Sequence, residues 1–221
     1  MRRRPLTFSG RGGFLGRTLG IEEEHAVLKA LLLDLDGTLL NLDGDQFLED
    51  YIEAVAHWMG PLTDPGRFTD TLWSAAIPVM VTQHPGRSNR DVLWEAMGQA
   101  LNVDPHQLDD RLREFLSGDL SVISPGGEPV PGAERVVAVA RARRVKLAVA
   151  TMPIYPRAVV LERLRRAHLG EVPWDLVATD GMETVKPDLA YFQEIAESLG
   201  VEPTECLMVG DDYFRDIVAR K

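Results

Sequence analysis

The chain has 221 residues, 45% of them hydrophobic, and a formal net charge of -10. That length buries one substantial core with room for a small second one. The five arginines of residues 1–20 come with no acid, which leaves 19 basic against 34 acidic residues in the rest; a surface that acidic argues against nucleic acid as a partner, and phosphate chemistry on it needs a cation to offset repulsion.

Residues 1–25 read as an N-terminal extension with no fold of its own, since they are rich in Arg and Gly and hold no apolar or amphipathic run. Arg without acid loosely matches an organelle transit peptide, a misplaced start is the plainer reading, and the missing apolar core argues against a secretory signal. Cys206 is the single cysteine. It cannot form an internal disulfide and suits a reducing compartment, so the cytoplasm is the expected location. No stretch approaches the roughly 18 apolar residues of a membrane span, and the five histidines lack close metal-ligand spacing.

Ala30–Leu40 (ALLLDLDGTLL) reads as a buried strand that runs into two carboxylates, Asp34 and Asp36, with Gly37 turning the chain away. Residues 41–124 read as a helical block without a convincing strand. One helix carries Phe47, Leu48, Tyr51, Ile52, Val55, Trp58 and Met59, and a second carries Phe68, Leu72, Trp73, Ala76 and Ile77 until Pro78 kinks or ends it. Ser88 with Asp91 opens a third, and Asp104-Pro105 opens a fourth. The loop 83–89 offers Arg87 to a substrate anion or, more plainly, is a solvated connection.

A Pro/Gly-rich link at 124–133 returns the chain to alternating helix and strand: helix 134–144, strand 146–151, helix 157–168, strand 175–179, helix 187–199, strand 206–209 and a last helix from 213. This alternation predicts an α/β core, 26–40 with 125–221, built on a doubly wound, Rossmann-like parallel sheet with the all-helical block inserted. Ligands bind such sheets at the carboxyl ends of the strands. Asp34 and Asp36 follow the first strand there, Thr151 ends the second, and Asp211 and Asp212 follow the last. Lys186 stands before Pro187 at a helix start, where its ammonium and the helix N-terminus could address one anion.

With these residues in order, the chain resembles the haloacid dehalogenase superfamily, the aspartate-nucleophile phosphatases. DLDGT matches the first motif, Thr151 the second, Lys186-Pro187 the third and GDDYFRD the fourth, and the helical block resembles the cap set between the first two. The resemblance implies that Asp34 attacks phosphorus and that Asp36 is the acid and base, held protonated by its neighbouring carboxylate. Thr151 and Lys186 would hold the phosphoryl oxygens, with Gly37 beside them in the phosphate site. Mg²⁺ would bridge Asp34, the Asp36 carbonyl and Asp211, with Asp216 as a further ligand.

The implied activity is Mg²⁺-dependent hydrolysis of small phosphomonoesters through an aspartyl-phosphate, its partner a small phosphorylated metabolite, without nucleic acid or membrane. A phosphotransferase or phosphomutase with the same nucleophile, or a non-catalytic member of the fold, is the alternative. Met152 stands where the family often has Asn. Asp211 is preferred to the adjacent Asp212 as ligand because of its spacing to Asp216. The family normally continues beyond the equivalent of Lys221 into a further strand, so strand 206–209 is expected to form an exposed sheet edge.

Overall fold

Apolar residues occupy both alternating positions of the short strands, and such strands are stable only with both faces of their sheet covered. The computed structural model describes residues 27–82, 84–124 and 126–216; the expected N-terminal extension and the end of the last helix lie outside them. The strands are β1 (Ala30–Leu33), β2 (Leu40–Asn41), β3 (Glu128–Pro129), β4 (Lys146–Val149), β5 (Leu176–Val177) and β6 (Cys206–Val209). The helices are α1 (Gly44–Trp58), α2 (Pro65–Thr71), α3 (Ile77–Met80), α4 (Asn89–Leu101), α5 (Pro105–Leu116), α6 (Ala133–Ala142), α7 (Arg157–Arg166), α8 (Leu189–Leu199) and α9 (Tyr213–Asp216).

The main sheet is parallel in the order β5-β4-β1-β6. Leu31, Leu33, Leu147, Val149 and Val177 face one core with Val137 of α6 and Val159, Val160 and Leu164 of α7. The alternate residues Ala30, Leu32, Ala148, Ala150 and Ala178 face a second core, filled by Tyr191, Phe192, Ile195 and Leu199 of α8. The many alanines on this side let bulky rings pack close to the sheet. The doubly wound reading therefore rests on strand parity itself. At the sheet edge, Leu207 and Val209 of β6 are 48% and 40% exposed.

Helices α1 to α5 form the inserted block. Their starts follow the capping residues: Asp43 accepts from Asp45 N and Gln46 N, Ser88 from Asp91 N, and Asp104 from His106 N. Two details depart from expectation. The helix containing Pro78 neither ends nor breaks there: a π turn at Leu72–Ala76, with Ile77 N bonded to Leu72 O, leads directly into α3. A wider turn relieves the clash and lost donor that proline brings to a regular helix. Asn41, placed in the helical block by its sequence, instead pairs with Glu128 in an antiparallel β2–β3 ladder at the block's base. Two residues are too few for strand periodicity to register.

The block is also tied to the core at the start of α4. Asn89, 2% exposed, donates through Nδ2 to the carbonyls of Pro153 and Thr184 at 3.2 and 3.0 Å and through its backbone to Met182. Among the described residues no helix is long and apolar enough to cross a membrane. Asn89→Ala leaves two core-facing carbonyls without this donor, so a loss of about 1–3 kcal/mol is expected. Denaturant unfolding of the variant against the unmodified protein measures it, and an unchanged midpoint would contradict the anchoring role.

Candidate active site

Register brings the chemistry together. Leu33 is paired with Val149 on one side and Val209 on the other, Asp34 N donates to Val209 O at 2.9 Å, and Ala150 N donates to Leu33 O at 2.7 Å. Asp34, Thr151 and Asp211 thus leave three adjacent parallel strands at one edge. Lys186 arrives from the segment between β5 and α8. Its buried Nζ donates to Asp34 Oδ1 at 2.7 Å and to Asp216 Oδ1 at 2.6 Å.

Two glycines let the acids approach. Gly37 has φ of 79°, and a Cβ there would lie 2.1 Å from Asp211 Oδ2; a Cβ on Gly210 would lie 2.0 Å from Asp216 Oδ2. Asp34, Asp211 and Asp216 each offer an oxygen within 4.8 Å of the others. Asp212 stands apart as a cap, accepting from Phe214 N and Arg215 N. Asp34, Asp211, Asp212 and Asp216, with Asp36, Gly37, Thr151 and Lys186, line one cleft of about 710 Å³.

The expected pairing of Lys186 with a helix N-terminus is not what forms. The helix begins at Leu189, capped by Asp188, whose carboxylate accepts from Ala190 N. Pro187 is instead the second member of a cis Lys186–Pro187 peptide ahead of that cap. Lys186 enters the site from the loop ahead of that cap, its ammonium held by Asp34 and Asp216.

Asp36 also differs in its surroundings. Its carboxyl is held above the usual range mainly by burial rather than by Asp34, and the guanidinium of Arg163 opposes the shift. Arg163 Nη1 donates to Asp36 Oδ2 at 2.5 Å. Burial likewise pushes Asp34 up to about 6, against the pull of Lys186.

Four carboxylates (Asp34, Asp36, Asp211, Asp216) therefore stand against two buried cations (Lys186, Arg163). When all are ionised the excess is two negative charges. Hard carboxylate oxygens with that excess suit a divalent cation such as Mg²⁺, and the three clustered carboxylates are the donors that could hold it.

Arg163 was not singled out from sequence, although a signal exists: Val159, Val160 and Leu164 form the buried face of α7, continued by Ala167 at its C-cap, and position 163 falls on that face. A charge on an apolar stripe is the mark. Arg87, considered for a substrate anion, pairs with Glu95 and does not line the cleft. Arg215 does line it, held 3.3 Å from Asp212 and 3.5 Å from Asp45.

Sheet, site and inserted helices define a hydrolase class built on strand-end aspartates. Residues 28–221 match the haloacid dehalogenase-like hydrolases, and the chain belongs to that family. It is 31% identical over 191 residues to phosphoglycolate phosphatase of Rhodospirillum rubrum, covering 83% of this chain and 71% of that one. It is 28% identical to N-acetylmuramic acid 6-phosphate phosphatase of Pseudomonas aeruginosa, covering 86% and 76%. Among solved structures, a HAD phosphatase from Thermococcus onnurineus is 21% identical with a TM-score of 0.47, covering 86% and 80%.

The raised Asp34 has a consequence for stability. A folded-state value of about 6 above the ordinary 3.8 means that the folded protein binds this proton more tightly than the unfolded chain. The contribution is complete below about 4 and is lost as pH rises through about 6. In metal-free buffer, Asp34→Asn is expected to gain stability relative to the unmodified protein across that window. Melting curves in EDTA at closely spaced pH values would show it; parallel curves for the two proteins would contradict it.

Proposed function

We propose that this hydrolase cleaves small phosphomonoesters through Asp34. The carrying observation is the buried Lys186 bound at once to Asp34 and Asp216 on the floor of a cleft roofed by the helical block; the phosphatase names of the two curated relatives support the same reading. Asp34 attacks phosphorus and the bond to the ester oxygen breaks, while Asp36 gives its proton to that departing oxygen. Asp36 then takes a proton from the water that attacks the aspartyl-phosphate, which releases inorganic phosphate and restores Asp34. Lys186 and Thr151 steady the phosphoryl oxygens as charge moves through the transfer.

In this reading Asp34, Asp211 and Asp216, together with the Asp36 carbonyl, would hold Mg²⁺. Bound there, the ion would supply positive charge beside the phosphoryl oxygens. Gly37 lies beside the phosphate and leaves Asp211 its room. Residues 41–124 serve as the cap, and they line the cleft with the apolar Leu48, Trp73, Ile77, Met80 and Val81 and with the polar or acidic Asn41, Asp43 and Asp45. Apart from Lys186, Arg215 is the one cation among the described cleft residues, and it is already paired.

Hydrolysis of a generic phosphomonoester in Mg²⁺ is expected to stop with EDTA and with Asp34→Asn. Activity surviving both would remove the mechanism. Gly37→Ala, which forces Asp211 aside, is expected to abolish the rise in melting temperature that Mg²⁺ brings to the unmodified protein.

A cap lining of apolar and acidic side chains also sets an order among substrates. An uncharged alkyl or aryl phosphate is expected to exceed phosphoglycolate in kcat/KM by roughly tenfold or more, because a carboxylate there meets no free cation. A substrate panel reads this directly, and the reverse order would move specificity away from the roof.

A further inference from the structure

Arg163 is fully buried on α7, yet it is a permanent cation. Its Cζ lies 4.7 Å from the ring centroid of Phe47 on α1 and 4.1 Å from that of Tyr155 in the loop after β4. Of its donors, Nη1 reaches Asp36 Oδ2, while Nε and Nη2 find no partner among the described residues. Buried donors left unpaired cost stability. A methionine would fill the space without that cost, so packing alone does not account for the charge.

The carboxyl it touches is equally one-sided. Asp36 Oδ2 faces Arg163, and Oδ1 has no hydrogen-bond partner among the described residues. A guanidinium can only donate, so the oxygen it binds must present a lone pair. A proton carried by Asp36 then has one place to reside, Oδ1. The two rings hold the guanidinium in place, and the guanidinium holds the carboxyl.

We propose that Arg163 is a positioning residue for the acid–base step: clamped between Phe47 and Tyr155, it binds Asp36 Oδ2 and dedicates Oδ1 to exchanging a proton with the leaving-group oxygen and then with water. This assignment rests on the phosphatase reading and goes beyond it. No proton passes through Arg163 itself. Its contribution is the orientation of another group, so it should matter only where proton donation matters.

Leaving-group dependence separates that role from general structural support. The first irreversible step, phosphoryl transfer to Asp34, sets kcat/KM, and an alkoxide departs poorly without a proton whereas dinitrophenolate needs none. The experiment compares the unmodified enzyme with Arg163→Lys and Arg163→Met on propyl phosphate and 2,4-dinitrophenyl phosphate in Mg²⁺. Both variants are expected to lose roughly 10²-fold or more in kcat/KM on propyl phosphate and less than about threefold on the dinitrophenyl ester. Asp36→Asn, which cannot donate the same proton, should show the same pattern.

An equal loss on both esters, or no loss on either, in a folded variant overturns the assignment. If circular dichroism shows neither Arg163 variant folded, Phe47→Leu replaces them. It keeps the charge and removes one face of the clamp, so a loss confined to propyl phosphate supports the proposal and a loss shared by both esters or absent from both overturns it. An unmodified protein inactive on both esters would instead remove the phosphatase reading, a different failure.

Discussion

The buried ammonium of Lys186 is the contact on which the site depends. It joins Asp34, at the end of the central strand, to Asp216, beyond the edge strand, and so sets a cation between two neighbouring carboxylates. Removing one partner from such a buried pair costs about 3–5 kcal/mol in comparable cases, because the remaining charge is stranded. The sheet makes the contact possible. Parallel register alone delivers Asp34, Thr151 and Asp211 to one edge, and the two close-packed glycines then let the carboxylates crowd. Backbone geometry and charge balance thus enforce each other.

The two cations in this cluster are suited to different work. Lys186 is a compact charge on a flexible stem, and its ammonium can exchange a carboxylate oxygen for a phosphoryl oxygen without moving the backbone. Arg163 is planar and held between two rings, so its one bond to Asp36 is directional and fixed. A movable charge beside the proposed nucleophile and a fixed one beside the proposed acid match what each carboxyl would be asked to do. Asp34 would have to trade partners during transfer, and Asp36 would have to keep its orientation through two proton movements.

Much of this was legible because it depends on short-range rules. Strand parity, strand-end polar residues and N-cap side chains are local, and the sheet, the inserted helices and the convergence of Asp34, Thr151, Lys186 and Asp211 followed from them. The failures were of another kind. Arg163 looked like one more arginine on a basic helix, since periodicity marks its face but does not say what lies opposite. The partner of Asp36 comes from 127 residues away. The helix after Lys186 begins at Leu189 because Asp188, not Pro187, supplies the cap. At Asn41 the two-residue ladder depends on a partner strand across the whole inserted block. Each required a tertiary contact that sequence spacing does not report.

The same contacts divide the helical block into a fixed part and a free part. At α4, Asn89 and Arg90 bond to core carbonyls at Pro153, Asp180, Met182 and Thr184. At α1, Phe47 is one wall of the Arg163 clamp and, with Tyr51, packs edge-on against Tyr155. Moving either helix as a unit would break buried polar or aromatic contacts with the core. In the segment between them, Gly86 N donates to Glu183 Oε2 of the core at 2.8 Å, whereas Trp73 and Val81 are 45% and 56% exposed while lining the cleft. This segment carries the π turn and Pro78, where helical hydrogen bonding is already irregular. Under the proposed function, substrate entry and selectivity would fall to the stretch from Trp73 to Val81, over a floor whose charges are set by Lys186 and Arg163.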